Sequence, residues 1–513
     1  GGVNRALRPT PLVQPPAYDR PVEPADDGSE KGDRGAPKRP GRQLGRRSLR
    51  STGRARMASF VPMAKLGEHA VVLGAGMGGL AAAGALAPHF EKVTVLERDQ
   101  LPDEPVPRLG APQGRHVHAL LAGGQQALES LYPGFTDAIL AAGAVPVRAN
   151  ADIRHEVAGY DPFPQRDLGL LVYSLSRPLI ELSARRLAAT AGVDFLARRR
   201  VKRLEASEDG AAIVAVHVED DAKRPERIAA DLVVEATGRA HPTLDLLESL
   251  GRPAPPKTVI GVDLSYASAV FEVPKGAPRD WKWVITFPAR DEKVRAGVLL
   301  PIEHGRWILS LGGFQDDAPP LDEAGFMTFV RNLRTPTIYE AIGAARRLGE
   351  IAGYGFRESV WRHFDRAPPL PRGLIPFSDS ICRFNPIYGQ GVSVAALEGA
   401  LLARLLGERA ASGAGIADLS EVFLAGAQEI IQGPWDMSAI PDLANPATRG
   451  ERPPALGAML QFGAALNELT AIDPEAHRLV NDVRALLKPP SALQDPALVS
   501  KVMEIMARAP IPA

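Results

Sequence analysis

From His69 the chain reads H-A-V-V-L-G-A-G-M-G-G to Gly79, and this stretch decides the fold. The apolar run 69–74 has the length and β-branched content of a short buried strand. Gly74, Gly76 and Gly79 then form a G-x-G-x-x-G turn. Gly74 allows the tight turn, Gly76 removes a side chain that would block a pyrophosphate, and Gly79 lets helix and strand pack closely. The small residues of 80–86 predict a helix whose free N–H groups meet the phosphates. A second strand, K-V-T-V-L at 92–96, ends in Glu97, 23 residues after Gly74. A carboxylate there can accept from adenosine ribose hydroxyls. Glycines alone are weak evidence, but strand, turn, small helix, strand and acid together read as a dinucleotide-binding unit.

Outward from this unit, residues 108–122 cluster Arg108, Arg115, His116 and His118. Arg115 is read as the arginine near the pyrophosphate. The two histidines have no convincing third ligand, so no metal is expected, and they stay open between structural and substrate-loop roles. Ser176, Pro178 and Glu181 signal a helix start, with Gly192 just past its end. Strands follow at 193–196, 200–204 and 213–218. The run 231–236, D-L-V-V-E-A, is another buried strand and ends in Thr237-Gly238-Arg239. A second glycine-ended strand suits a fold that returns to its nucleotide from the far side of the sheet, as a flavoprotein does.

Residues 259–314 change character, with apolar or alternating runs rich in β-branched and aromatic residues, and predict an antiparallel sheet over the substrate. Trp281, Trp283, Phe287 and Phe314 are candidates for an apolar pocket or for ordinary core. A helical excursion is expected at 326–345, with return strands at 353–360 and at Phe364. The sharpest late motif is G-L-I-P-F-S-D-S-I-C-R-F-N-P-I-Y-G-Q-G at 373–391. It predicts a strand at 374–377, the acid Asp379, a constrained loop through Asn385, Pro386, Gly389 and Gly391, and a helix over 393–406. The acid can bond a polyol hydroxyl, and N–H groups at the helix start can stabilise negative charge. Phe384, Asn385 and Pro386 are read as lining the reactive end. Further helices are expected at 419–432, ending near Gly433-Pro434, and at 453–470, 474–487 and 495–507.

Composition narrows the function classes. Lys plus Arg and Asp plus Glu are both 60, so the net charge is zero and a dedicated nucleic-acid binder is excluded. The single cysteine, Cys382, excludes an internal disulfide framework. No apolar run is long enough to predict a membrane-spanning helix. The zero charge is a sum over unlike parts: residues 1–30 carry six prolines and five acids, and residues 31–56 carry ten Lys or Arg and one acid. Residues 1–65 are read as a solvated tail or an upstream extension.

The motifs G-A-G-M-G-G at 74–79 with Glu97, P-Q-G-R-H-V-H at 112–118, D-L-V-V-E-A-T-G-R at 231–239 and S-D-S-I-C-R-F-N-P-I-Y-G-Q-G at 378–391 carry a family resemblance. Over residues 65–510 the chain resembles the FAD-dependent monooxygenases of the para-hydroxybenzoate hydroxylase group, and more narrowly the squalene-epoxidase-like branch. The resemblance implies an α/β architecture: a Rossmann-like FAD-binding domain of glutathione-reductase type (66–258 and 367–410), interleaved with a β-rich substrate domain (259–366) and followed by a C-terminal helical cap (411–513). It implies non-covalent FAD, with Gly74, Gly76, Gly79, Glu97, Arg98, Arg115, Val201, Gly238, Asp379, Pro386, Gly389 and Gly391 as cofactor-binding candidates. The implied reaction transfers one oxygen atom from dioxygen to a lipophilic alkene or aromatic substrate through a flavin C4a-hydroperoxide. Another flavin chemistry (dehydrogenase, reductase or halogenase-like) is the alternative, though Lys202 and Lys275 have no motif context for a halogenase lysine.

Two positions depart from the family pattern. Ser378 stands where the familiar glycine precedes the acid, bringing a side chain to a close approach. The Asp-Gly signature tied to NAD(P)H is replaced by Ala236-Thr237-Gly238-Arg239, which leaves NADPH or NADH open as direct electron source against a separate flavin reductase. A monomer or homodimer is expected, cytoplasmic or peripheral at a membrane surface.

Overall fold

The computed structural model describes residues 65–288 and 295–508. The expectations for residues 1–64 lie outside the described residues. The alternation of strand and helix around the glycine turn yields a parallel sheet of five strands, in the order Leu374–Pro376, Leu232–Glu235, Gly67–Leu73, Phe90–Leu96, Val193–Leu196. Ala70, Val71, Val72 and Leu73 are all fully buried, as a central parallel strand covered on both faces requires. Strands Gly67–Leu73 and Leu232–Glu235 end in register, Leu73 opposite Glu235, which brings the turns at Gly74 and after Ala236 side by side.

A second sheet has seven strands. Its core is the 16-residue strand Lys257–Glu272, paired antiparallel with Arg306–Phe314 on one side and Arg347–Arg362 on the other. Ala296–Ile302 and Trp283–Thr286 extend it. The sheet is wider than 259–366: Ile153–Glu156 pairs parallel with Trp283–Thr286 at one edge and Cys382–Arg383 pairs with Arg347–Arg362 at the other. A three-stranded meander, Arg200–Ala206, Ile213–Glu219 and Pro225–Ala229, forms a separate sheet and packs its apolar side chains against Val71, Leu73 and Val233 of the parallel sheet.

Small residues set the helix packing under the glycine turn. Helix Met77–Leu86 is buried almost all round and crosses helix Gly391–Ser412, where a Cβ on Gly399 would lie 2.9 Å from the Ala81 Cβ. Among the described residues no helix is long and apolar enough to cross a membrane.

Three expectations need correction. The helix expected to end near Gly433-Pro434 runs on as Leu419–Ala444, with Pro434 and Pro441 inside it. A proline interior to a helix costs about 3 kcal/mol. Burial offsets it here: Trp435 packs tilted against Trp361 with ring centroids 5.4 Å apart, and Ser438 Oγ donates to the Pro434 carbonyl at 3.1 Å. The excursion at 326–345 is two helices, Glu323–Arg331 and Thr337–Ile342, separated at Pro336, whose ring disfavours helical backbone before it. The return strands are one continuous strand, Arg347–Arg362, and Phe364 lies in a short 3-10 turn.

Candidate active site

The ends of the parallel sheet and one face of the second sheet enclose a cavity of about 610 Å³. Gly74, Gly76, Glu97, Arg98, Val201, Gly238, Asp379, Phe384, Pro386, Gly389 and Gly391 all line it. Segments far apart in sequence therefore meet at one space.

At the glycine turn, each glycine has a separate reason. Gly74 has φ 98°, in the left-handed region. A Cβ on Gly79 would lie 1.8 Å from the Gly74 carbonyl oxygen, so Gly79 serves helix–strand packing and does not line the cavity. Gly76 is different. Its backbone is ordinary (φ −77°, ψ −178°), and a Cβ there would meet nothing nearer than the Arg108 and Arg177 guanidinium nitrogens at 4.0 Å. The protein leaves an open cradle over the start of helix Met77–Leu86, flanked by two cations, and this suits a diphosphate.

Those cations are not the one expected. Arg115 is exposed and is absent from the cavity lining. It is the last residue of the short turn Pro112–Arg115. Arg108 and Arg177 take its place. Arg108 Nη1 lies 2.9 Å from Glu97 Oε2 and 3.2 Å from Asp99 Oδ2. Glu181 bridges the two arginines, accepting from Arg108 Nε at 3.4 Å and Arg177 Nε at 2.8 Å. His118 completes the clamp. Its Nδ1 faces the His116 carbonyl at 3.0 Å, so it donates there and its Nε2 accepts from Arg177 Nη1 at 3.1 Å. Burial, then Arg177, pushes the His118 pKa down to about 3, so it stays neutral and can accept. Sequence reasoning read Glu181 only as a helix-start signal, because pairing across 73 positions leaves no local pattern.

Glu97 Oε2 also accepts from the Ala75 N–H at 2.9 Å and Oε1 from the Asp99 N–H at 3.1 Å. These bonds hold the carboxylate at the strand end. On the far side, buried Glu235 organises the Thr237-Gly238 turn, accepting from the Thr237 N–H at 2.9 Å and Ser380 Oγ at 3.1 Å. Ser380 Oγ in turn accepts from the Gly238 N–H at 3.1 Å. Asp379 follows in the short turn Ser378–Ser380. Burial pushes its pKa up, against the downward pull of Arg177, Arg383 and Arg362.

The departure at Ser378 has a structural counterpart. Ser378 adopts φ 58°, a conformation costly for a residue with a side chain. Its N–H donates to Glu398 Oε2 at 2.7 Å, and room for its side chain comes from Gly78, where a Cβ would lie 2.6 Å from the Ser378 Cβ.

The loop at 385–391 is pinned from behind. Asn385 is fully buried and is absent from the cavity lining, contrary to expectation. Its Oδ1 accepts from the Ile387 N–H at 3.1 Å, and its Nδ2 donates to both carboxylate oxygens of Asp442 at 3.0 Å. Tyr388 also donates to Asp442, at 2.9 Å. Asn385 shapes the loop, and Phe384, Pro386, Ile387 and Gly389 face the space.

For the aromatic residues left open between pocket and core, the structure favours core. Trp281, Trp283, Phe287 and Phe314 do not line the cavity; Trp281 stacks on Trp307 in a separate core. Tyr266, Val298, Tyr354 and Phe356 supply the wall instead. Alternation along the long strands decides this, since only one face of the sheet meets the cavity. Cys382 is buried, and burial pushes its thiol pKa well up, as a packing residue requires.

No family model matches the chain. Protein Rv3254 of Mycobacterium tuberculosis is 32% identical over 402 residues, covering 75% of this chain and 84% of that protein. The chain belongs to the family of Protein Rv3254. Among solved structures, the flavoprotein/dehydrogenase from Cytophaga hutchinsonii aligns with TM-score 0.61 at 16% identity, over 86% of this chain and 97% of its own. The flavin-dependent brominase Bmp2 aligns with TM-score 0.60 at 14% identity, over 86% and 99%. The p-nitrophenol 4-monooxygenase PnpA from Pseudomonas putida DLL-E4 gives 0.57 at 17% identity, over 82% and 98%. At these identities the likeness establishes the shared α/β fold.

Proposed function

We propose that the protein is an FAD-dependent monooxygenase that inserts one oxygen atom from dioxygen into a lipophilic alkene or aromatic substrate. One observation carries this reading: a single cavity is lined by the glycine turn at 74–76, by Gly238 and Asp379, by the 386–391 loop and by an aromatic wall. Its polar lining fits an elongated diphosphate ligand. The Gly76 cradle with Arg108 and Arg177 would hold a pyrophosphate, Glu97 a ribose, and Asp379 a polyol chain. Pro386, Gly389 and Gly391 would flank the ring. Bound FAD supplies the activation of dioxygen. The chain's own part is to orient the substrate against the ring and to exclude water with Tyr266, Val298, Tyr354 and Phe356.

The fold similarity to a p-nitrophenol 4-monooxygenase supports this choice, and the fold is shared with a brominase. Among the described residues no lysine lines the cavity, which favours oxygen insertion over halogenation. Within the monooxygenase reading, the 378–391 motif supports the squalene-epoxidase-like branch, with epoxidation or hydroxylation as the reaction. NADPH or NADH, directly or through a flavin reductase, would supply the electrons. The test is turnover under mass-labelled dioxygen: labelled product supports the proposal, and an oxidised product without label overturns it.

A further inference from the structure

On the sheet wall of the cavity a hydrogen-bonded chain ends in an unpartnered atom. The Val117 N–H donates to Ser310 Oγ at 2.9 Å, Ser310 Oγ lies 2.5 Å from Ser268 Oγ, and Ser268 Oγ lies 2.7 Å from His116 Nδ1. One arrangement of protons gives every hydroxyl an acceptor among these groups. Ser310 donates to Ser268, and Ser268 donates to His116 Nδ1. The reverse direction leaves the Ser310 proton without an acceptor in the chain. In the arrangement that pairs every hydroxyl within the protein, His116 Nδ1 is the acceptor and Nε2 carries the proton. His116 is only 6% exposed, and its Nε2 has no partner among the described residues. Burial, then Arg115, pushes its pKa down to about 4, so the ring is a neutral donor at physiological pH.

The Tyr266 hydroxyl, two residues from Ser268 on strand Lys257–Glu272, is likewise buried without a partner among the described residues. The two rings lie 6.0 Å apart, and Tyr354 closes the group at 5.6 Å from His116. All three residues line the cavity. Leaving buried polar atoms unpaired is costly, which points to a ligand that satisfies them.

We propose that His116 and Tyr266 recognise an oxygen function of the substrate, a hydroxyl or carbonyl on a planar apolar body. His116 Nε2 donates to that oxygen, and Ser268 and Ser310 are positioning residues that fix the imidazole tautomer. The inference rests on the monooxygenase reading and narrows its substrate class from lipophilic molecules in general to oxygenated ones.

The probes are β-naphthol and naphthalene, titrated calorimetrically into FAD-loaded protein. β-Naphthol is expected to bind about tenfold tighter or more, a difference of about 1.4 kcal/mol. His116→Phe should bring the two affinities together while FAD remains bound. Tyr266→Phe, which removes one oxygen atom, should shrink the difference, and Ser268→Ala should do the same, so the proposal stays testable if His116→Phe does not fold. Equal binding of the probes by FAD-loaded wild type, binding of neither, or undiminished discrimination in these variants overturns the inference alone. A chain that holds no FAD overturns the monooxygenase reading and this inference with it.

Discussion

Asn385 Nδ2 donates to both carboxylate oxygens of Asp442 at 3.0 Å, tying the cavity loop to the helix Leu419–Ala444. The tie explains how residues 385–391 keep their shape beside an open space. Asp442→Ala would leave Asn385 Nδ2 and the Tyr388 hydroxyl unpaired in the interior, at about 1–3 kcal/mol each. The expected outcome is a lower midpoint of thermal unfolding together with weaker FAD retention. Unchanged retention would show that the loop holds its shape without Asp442.

Glu398 makes a pH prediction. Burial pushes its pKa up to about 8 from 4.5, despite the Ser378 N–H bond. The folded state thus binds this proton more tightly than the unfolded chain. Its contribution to stability is fully present below pH 4.5 and is lost as pH rises towards 8. Glu398→Gln should flatten the stability profile across that window and raise stability at pH 8 by more than about 1 kcal/mol. Denaturant melts at several pH values would reveal it; parallel profiles for both proteins would contradict it.

Arg108 and Arg115 separate the structure from the sequence reading. Arg108→Ala removes the partner of Glu97, Asp99 and Glu181, all close to the Gly76 cradle. Breaking such a buried network costs about 3–5 kcal/mol, and FAD should be lost on purification. Arg115→Ala, at an exposed position, should retain FAD and stability within about 0.5 kcal/mol. Equal FAD loss in both variants would restore the original choice of Arg115.

Ser378 holds a left-handed φ that glycine adopts freely. Ser378→Gly is expected to keep FAD and to leave stability unchanged or raised by up to about 1 kcal/mol. A loss of FAD would instead assign the Ser378 side chain a direct role at the cofactor.

These contrasts show what the sequence could and could not reveal. The glycine turn, Glu97, Asp379 and the 386–391 loop were legible because each depends on local backbone chemistry at fixed spacing. Arg108, Glu181, Glu235 and Asp442 were not. Their roles come from partners 57 to 145 positions away, or from three acids gathered around one guanidinium. The same holds for the aromatic wall: a strand pattern tells which residues alternate, but the pairing of sheets decides which face meets the cavity. The helix through Pro434 was hidden because a local breaker was outweighed by burial of Trp435.

FAD titration of wild type and Gly76→Val, alongside their unfolding midpoints, tests the central claim most directly. Gly76 has backbone angles open to any residue, and the nearest protein atoms to an added Cβ are 4.0 Å away. The substitution should therefore leave the fold intact while filling the cradle. The account predicts one FAD per chain in wild type and none in Gly76→Val, at closely similar stability of the FAD-free proteins. Wild type that binds no FAD, or Gly76→Val that binds it equally well, would contradict the assignment of this cavity.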